Sequence, residues 1–246
     1  MDRSYGAGCH ERCRTVKRMV QFRPEFTEVL VFDLEAFVPP ADRRRRTGDS
    51  LAVNPYRPDH TLLGGVVYRV RPLTGVVLSS YEHHWIWEGG GDREVVFSLY
   101  RLFADTWRAV SGKRTFHADP VVAGVGIATF DLPFFMAKCL QYTVAPAVEV
   151  YETIGKMPFL DLSTAGIGFL HLNSPILHPC TNNELADEFL GERARKPTGK
   201  CVWDMADAQE YAAIAERCEG EVREMVLLMD AMLQRCRCPD TKKKGN

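Results

Sequence analysis

The sequence predicts an α/β domain: one mixed sheet whose first three strands are antiparallel and whose later strands are parallel, flanked by helices. Three observations lead there. Apolar runs and helically spaced segments follow one another as strand–strand–strand–helix–strand–helix–strand–helix. The second and third strands are joined by a Pro-Leu-Thr-Gly turn at residues 72–75, a hairpin-type link. Each later strand is separated from the next by a helix, the connection that parallel neighbours need.

The elements follow in order. Residues 27–36 form the first strand, within the apolar stretch Val-Leu-Val-Phe-Asp-Leu-Glu-Ala-Phe at 29–37. Residues 39–60 carry Pro, Asp, Ser, Asn and four consecutive arginines, which makes them a loop. Leu62 to Val70 and Gly75 to Trp87 are the next strands. Asp92 to Val110 is helical, with Val95, Val96, Leu99, Leu102, Phe103 and Val110 on one side. The apolar, Gly-containing run after Val121 is a buried strand ending in a close approach. Asp131 follows, as the N-cap of a helix that runs to about Tyr142 and tolerates Pro133 in its first turn. Pro158 to Leu162 is a strand. Thr181-Asn-Asn-Glu opens a helix over 181–190 with a capping box of Thr181 and Glu184. Residues 207–234 form a long amphipathic helix, with Ala215, Cys218, Val222, Met225, Val226, Met229 and Leu233 at helical spacing. The domain thus occupies residues 25–235, between a basic arm at 1–24 and a tail at 236–246.

Composition narrows the class. A chain of 246 residues with 46% hydrophobic content can bury a core. A net charge of −1 gives no global attraction to nucleic acid, so any such binding would depend on local basic patches. There is no apolar run of membrane-spanning length, about 18 residues, and no signal peptide. A cytoplasmic protein with no membrane partner is expected. Cys139, Cys180, Cys201 and Cys218 are scattered, as buried free thiols are. Cys9 and Cys13, and Cys236 and Cys238, have spacings unlike the usual zinc loops, so free thiols on solvated tails are expected before a structural zinc site.

The chemistry concentrates in acidic residues. Asp33 and Glu35 are two apart on a strand and share a face. They belong either to an ordinary alternating strand with a wet polar face or to a pair whose repulsion a divalent cation offsets. Hard oxygen ligands suit Mg²⁺ or Mn²⁺. Glu221 lies within roughly 60° of Cys218 and Met225 around its helix, at the edge of the buried face. A carboxylate there needs a partner. Arg217, one turn earlier, is one candidate; a metal shared with Asp33, Glu35 and Asp131 is the other. The run Arg43, Arg44, Arg45 and Arg46 follows the first strand and is either solvated charge or a grip on substrate phosphates. Trp85, Trp87, His83 and His84 end the third strand, as core or sheet-edge packing or as a surface for stacked bases.

The order Asp-x-Glu, then Phe-Asp-Leu-Pro-Phe at 130–134, then Arg-Cys-Glu-Gly-Glu-Val at 217–222 resembles the three motifs of the DEDD superfamily of 3′–5′ exonucleases. The likeness is to the branch similar to the proofreading domain of family B DNA polymerases and its stand-alone relatives. Met157 to Leu162 is similar to the strand that follows the second motif, and Thr181 to Leu190 to a helix that family members carry there. The likeness covers about residues 27–234.

That resemblance implies a ribonuclease H-like fold and the release of nucleotides from 3′ ends of single-stranded DNA or RNA. It implies two Mg²⁺ or Mn²⁺ ions on Asp33, Glu35, Asp131 and Glu221, with Arg217 among the catalytic residues and Leu34, Ala36 and Phe130 beside the substrate strand. The chain also departs from the pattern. Glu221 replaces an Asp, Arg217 a Tyr four residues before it, and Glu216 stands where another branch has His. Ala36 replaces a Thr and keeps only its backbone N–H, and Gly126 replaces an Asn. Two functions are therefore expected from these residues: a metal-dependent exonuclease, or a degenerate relative that binds nucleic acid or a protein without turnover.

Overall fold

The computed structural model describes residues 23, 25–43, 53–71, 75–111, 118–171, 177–191 and 199–237. The expected arm before residue 23, the Pro-Leu-Thr of the turn, Arg44, Arg45, Arg46, His117, Cys9, Cys13 and Cys238 lie outside them.

Among the described residues, six strands form one mixed sheet. They are β1 (Val29–Phe37), β2 (Thr61–Arg71), β3 (Val76–Val77), β4 (Glu82–Trp85), β5 (Val121–Gly124) and β6 (Phe159–Asp161). The order is β3-β2-β1-β5-β6, and β4 also pairs with β2. The β1–β2, β2–β3 and β2–β4 pairs are antiparallel, while β1–β5 and β5–β6 are parallel, as the sequence led us to expect. The expected third strand, Gly75 to Trp87, is instead two pieces and a 3₁₀ turn over Ile86–Glu88. Between the pairs Val70↔Val77 and Val67↔Glu82, β2 advances three residues and the edge chain five. Two extra residues therefore bulge out of the ladder, and the Leu78 N–H returns to the Arg69 carbonyl at 2.9 Å.

Seven helices flank the sheet among the described residues: α1 (Asp92–Ser111), α2 (Asp131–Gln141), α3 (Ala147–Val150, continued as a π turn to Gly155), α4 (Leu162–Leu170), α5 (Asn182–Leu190), α6 (Cys201–Asp207) and α7 (Tyr211–Arg237). Helices α3, α4 and α6 are short additions to the expected set. The capping box of α5 is present, with Thr181 and Glu184 bonding reciprocally.

The period of β1 sorts its side chains between two cores. Leu30, Phe32 and Leu34 face a cluster with Val96, Leu99, Phe103 and Phe135 of α1 and α2. Val29 and Val31 face a cluster with Ile214, Cys218, Val222 and Leu228 of α7. Asp33 and Glu35 continue that second face and so point toward α7. Trp85 belongs to the second core and stacks at 4.7 Å on Trp87, which stacks at 4.7 Å on Tyr211. These aromatics pack on one another and on the second core. His83 meets Glu219 and His84 meets Ser98.

Lys138 is fully buried on the other side of the sheet. Its Nζ lies 3.4 Å from Asp92 Oδ2 and 5.7 Å from the ring centres of Phe134 and Tyr142. Asp92 also accepts the Tyr142 hydroxyl at 2.7 Å and the Leu62 N–H at 3.2 Å, tying α1 to α2 and β2. Removing the acid leaves a buried ammonium without its counter-charge. Asp92→Ala should therefore cost roughly 3 kcal/mol in urea unfolding, and more than Lys138→Met, which removes the charge itself; a smaller loss for Asp92→Ala than for Lys138→Met would contradict this account.

Candidate active site

Three elements deliver four carboxylates to one cleft of about 470 Å³. Asp33 and Glu35 come from β1, where the ladder with β2 shifts register between Glu35 and Ala36. On β2, Gly64 (φ +140°) opposite Glu35 and Gly65 opposite Leu34 lack side chains, and a Cβ on Gly65 would collide with the Asp33 carbonyl. Glu221 comes from α7. Ligand oxygens of Asp33, Glu35 and Glu221 lie within 4.8 Å of one another. Asp131 opens α2 and lines the same cleft.

Asp131 is held differently from the expectation. It is not the N-cap of α2; Phe130 occupies that position and makes no side-chain cap. Instead Asp131 Oδ1 accepts the Leu34 N–H at 2.9 Å, across 97 residues of chain. The preceding strand ends, as expected, in a close approach: at Gly124 a Cβ would press on the Phe32 carbonyl and Ile127. A turn with Gly126 at φ +73° then leads to Asp131. Asp161, at the end of β6, holds that turn: it accepts N–H groups from Gly126 at 3.0 Å and Ala128 at 3.1 Å, and also from Ser163 at the start of α4. Its part was missed in the sequence, though Asp between an apolar strand and a helix is the pattern of an N-cap.

Arg217 stands among the acids. Its Nη1 is 3.1 Å from Glu35 Oε1 and its Nη2 is 2.6 Å from Glu221 Oε1. The thiol of Cys218 donates toward Asp33 Oδ2 at 3.3 Å, a contact the helical pattern alone could not reveal. The Trp203 indole N–H donates to the Ala36 carbonyl at 2.9 Å, so α6 closes the far side of the strand end.

Of the residues expected to meet a substrate strand, Leu34, Ala36 and Phe130 line the cleft. The Leu34 N–H is already taken by Asp131, and Phe130 stacks on Phe134 at 5.5 Å between centroids. Arg43 turns inward instead of into the cleft. It pairs with Asp207 at 2.7 Å and Asp204 at 3.3 Å, donates to the Val38 carbonyl at 2.8 Å, and lies over the Trp203 and Phe37 rings. This Arg is a clamp between the strand end and α6, not a phosphate grip.

Burial and crowding shift the acids together. Burial first, then Glu221, Glu35 and Asp131, push Asp33 well above the usual carboxylate range. Burial and Glu221 raise Glu35 to about 8 against the opposing pull of Arg217. Burial raises Asp131 to about 7, despite the Leu34 N–H that favours its charged form. An all-oxygen donor set under this strain fits a hard divalent cation. The other clusters of possible ligands are already engaged. Arg57 lies 2.8 Å from both Asp42 and Asp59 beside His60, and Glu184, near His171 and His178, accepts twice from Thr181.

The fold is ribonuclease H-like. The chain is similar to a solved family B DNA polymerase from the hyperthermophilic archaeon Pyrobaculum calidifontis, with a TM-score of 0.53 and 18% identity over 84% of this chain. It spans 24% of that polymerase, about a quarter. No family model and no curated protein matches. Among the described residues, no helix is long and apolar enough to cross a membrane.

A carboxyl whose pKa is higher in the folded chain than in the unfolded one favours folding while protonated. That contribution is complete below about pH 4 and is lost as pH rises through about 7 for Asp131 and about 8 for Glu35. In EDTA, the thermal midpoint should therefore fall between about pH 6 and 8.5, and Glu35→Gln should flatten the fall. A midpoint that stays level or rises over that window would refute the electrostatic account.

Proposed function

We propose that this chain hydrolyses phosphodiester bonds at 3′ ends of single-stranded DNA or RNA, using divalent metal held by Asp33, Glu35, Asp131 and Glu221. The observation that carries this reading is the convergence of those four acids, from β1, α2 and α7, in one cleft. It is supported by the likeness of the three motifs to 3′–5′ exonucleases and by the fold shared with a DNA polymerase.

The residues divide the work by position. Asp33 and Glu35 present their carboxylates from a strand that Gly65 lets β2 approach closely. Asp131 is fixed by the Leu34 N–H at one oxygen and turns its charge to the cleft. Asp33, Glu35, Asp131 and Glu221 would hold Mg²⁺ or Mn²⁺, which would supply water activation and offset charge developing on the phosphate. Arg217 stands where the family has a water-orienting Tyr; as a permanent cation it stabilises negative charge and cannot accept a hydrogen bond from the water. Leu34, Ala36 and Phe130 form the wall along which a 3′-terminal nucleotide would lie.

One observation favours a second reading. The Arg217 bridge already satisfies Glu35 and Glu221, as expected of a relative that binds nucleic acid or a protein partner without turnover. A 5′-labelled single-stranded DNA and RNA, incubated with Mg²⁺, Mn²⁺ or EDTA, separates the two. The exonuclease should yield a metal-dependent ladder from the 3′ end that drops at least a hundredfold in Asp33→Ala/Glu35→Ala. Folded protein that yields no ladder with either metal leaves the binding reading as the better account.

A further inference from the structure

We infer that Arg217 takes the place of one divalent cation, so that the cleft binds a single Mg²⁺ or Mn²⁺ and not a pair. The inference rests on the metal-dependent reading of the same carboxylates and concerns how many ions they accept.

Geometry comes first. Arg217 bridges two of the three residues whose ligand oxygens lie within 4.8 Å of one another, Glu35 at 3.1 Å and Glu221 at 2.6 Å. Its side chain is only 15% exposed. The guanidinium is anchored one helical turn from Glu221 on the same face of α7, so the pair forms within the helix and Glu35 of β1 completes it. A metal shared by Glu35 and Glu221 would have to meet this fork or displace it.

Charge gives the same answer independently. With all four carboxylates ionised, as ligands of a divalent cation must be, they and one guanidinium leave three formal negative charges facing the cleft. One divalent ion reduces that to a single negative charge. A second would overshoot to a net positive charge in a buried site, next to a guanidinium that cannot shed its proton. A neutral residue at 217 would let two ions balance the four acids. The Arg217 bridges reach Glu35 and Glu221, so the charge of Asp33 and Asp131 in the same cleft is what one ion would offset. Arg217 and that ion would then face the substrate together, and a planar guanidinium suits phosphate oxygens.

The test counts ions, not turnover. The full chain is titrated with Mn²⁺ and the bound ion is measured from the loss of the free Mn²⁺ EPR signal. Arg217→Lys and Arg217→Met are titrated beside it, each checked for folding by circular dichroism, with Asp33→Asn/Asp131→Asn as the site control. The expected result is one ion per chain for the unsubstituted protein and for Arg217→Lys, two for Arg217→Met, and none for the control. Two ions on the unsubstituted chain, or one on a folded Arg217→Met, overturn the inference and leave the metal-dependent reading intact. No ion on any of them overturns both. Should Arg217→Met not fold, a count of two on the unsubstituted chain or on Arg217→Lys still decides against it.

Discussion

Mutual repulsion among buried carboxylates is the constraint that the rest of this molecule is arranged to withstand. Two unit charges no more than 4.8 Å apart repel by about 3.5 kcal/mol or more at an effective dielectric constant near 20. Three such pairs approach the whole stability of an ordinary domain, roughly 5–15 kcal/mol. The acids therefore cannot all be ionised and uncompensated. Proton binding, Arg217 and a divalent ion are the three available reliefs, and they compete for the same oxygens. The two hydrophobic cores on either side of β1 matter for this reason. They fix Asp33 and Glu35 on a central strand that cannot move aside to relax the repulsion.

Each acid is aimed by a different kind of contact. The strand period directs Asp33 and Glu35 toward α7. Helical phase brings Glu221 and Arg217 to the same edge. Asp131 depends on tertiary bonds: its own to the Leu34 N–H, and those of Asp161, which hold the turn before it. Local rules thus set three of the acids, while the fourth exists as a site residue only once β1, β5 and β6 lie side by side. The cleft opens beyond the carboxyl ends of those strands, where open α/β sheets leave room for ligands.

This division explains what could be read in the chain. The succession of strands and helices along the chain, the shared face of Asp33 and Glu35, the capping box of α5 and the amphipathic phase of α7 depend on neighbours within a few residues, and the sequence displays them. The failures lie at longer range. Asp131 has the look of an N-cap because Asp before a Pro-containing turn usually is one; its partner is 97 residues away. The split edge strand follows from two residues bulging against β2, which composition cannot register. Arg43 belongs to an arginine run that suggests solvated charge or a phosphate grip, yet the carboxylates of α6 draw it inward. Asp161 ends a three-residue strand, too short to give its acid a periodic signal.

Arg217 and Glu221 show how a local pair acquires a tertiary role. Four residues apart on a helix, they would form a surface ion pair worth a few tenths of a kcal/mol in isolation. Burial beside Glu35 changes the balance, because the same guanidinium now faces two carboxylates with little water to screen them. Such a group resists removal: without it, two acids stay buried and unpaired, and the penalty is far larger than the pair's own attraction. An arginine at this position places a permanent positive charge among the four carboxylates of the cleft, and whatever the cleft binds next must accommodate that charge.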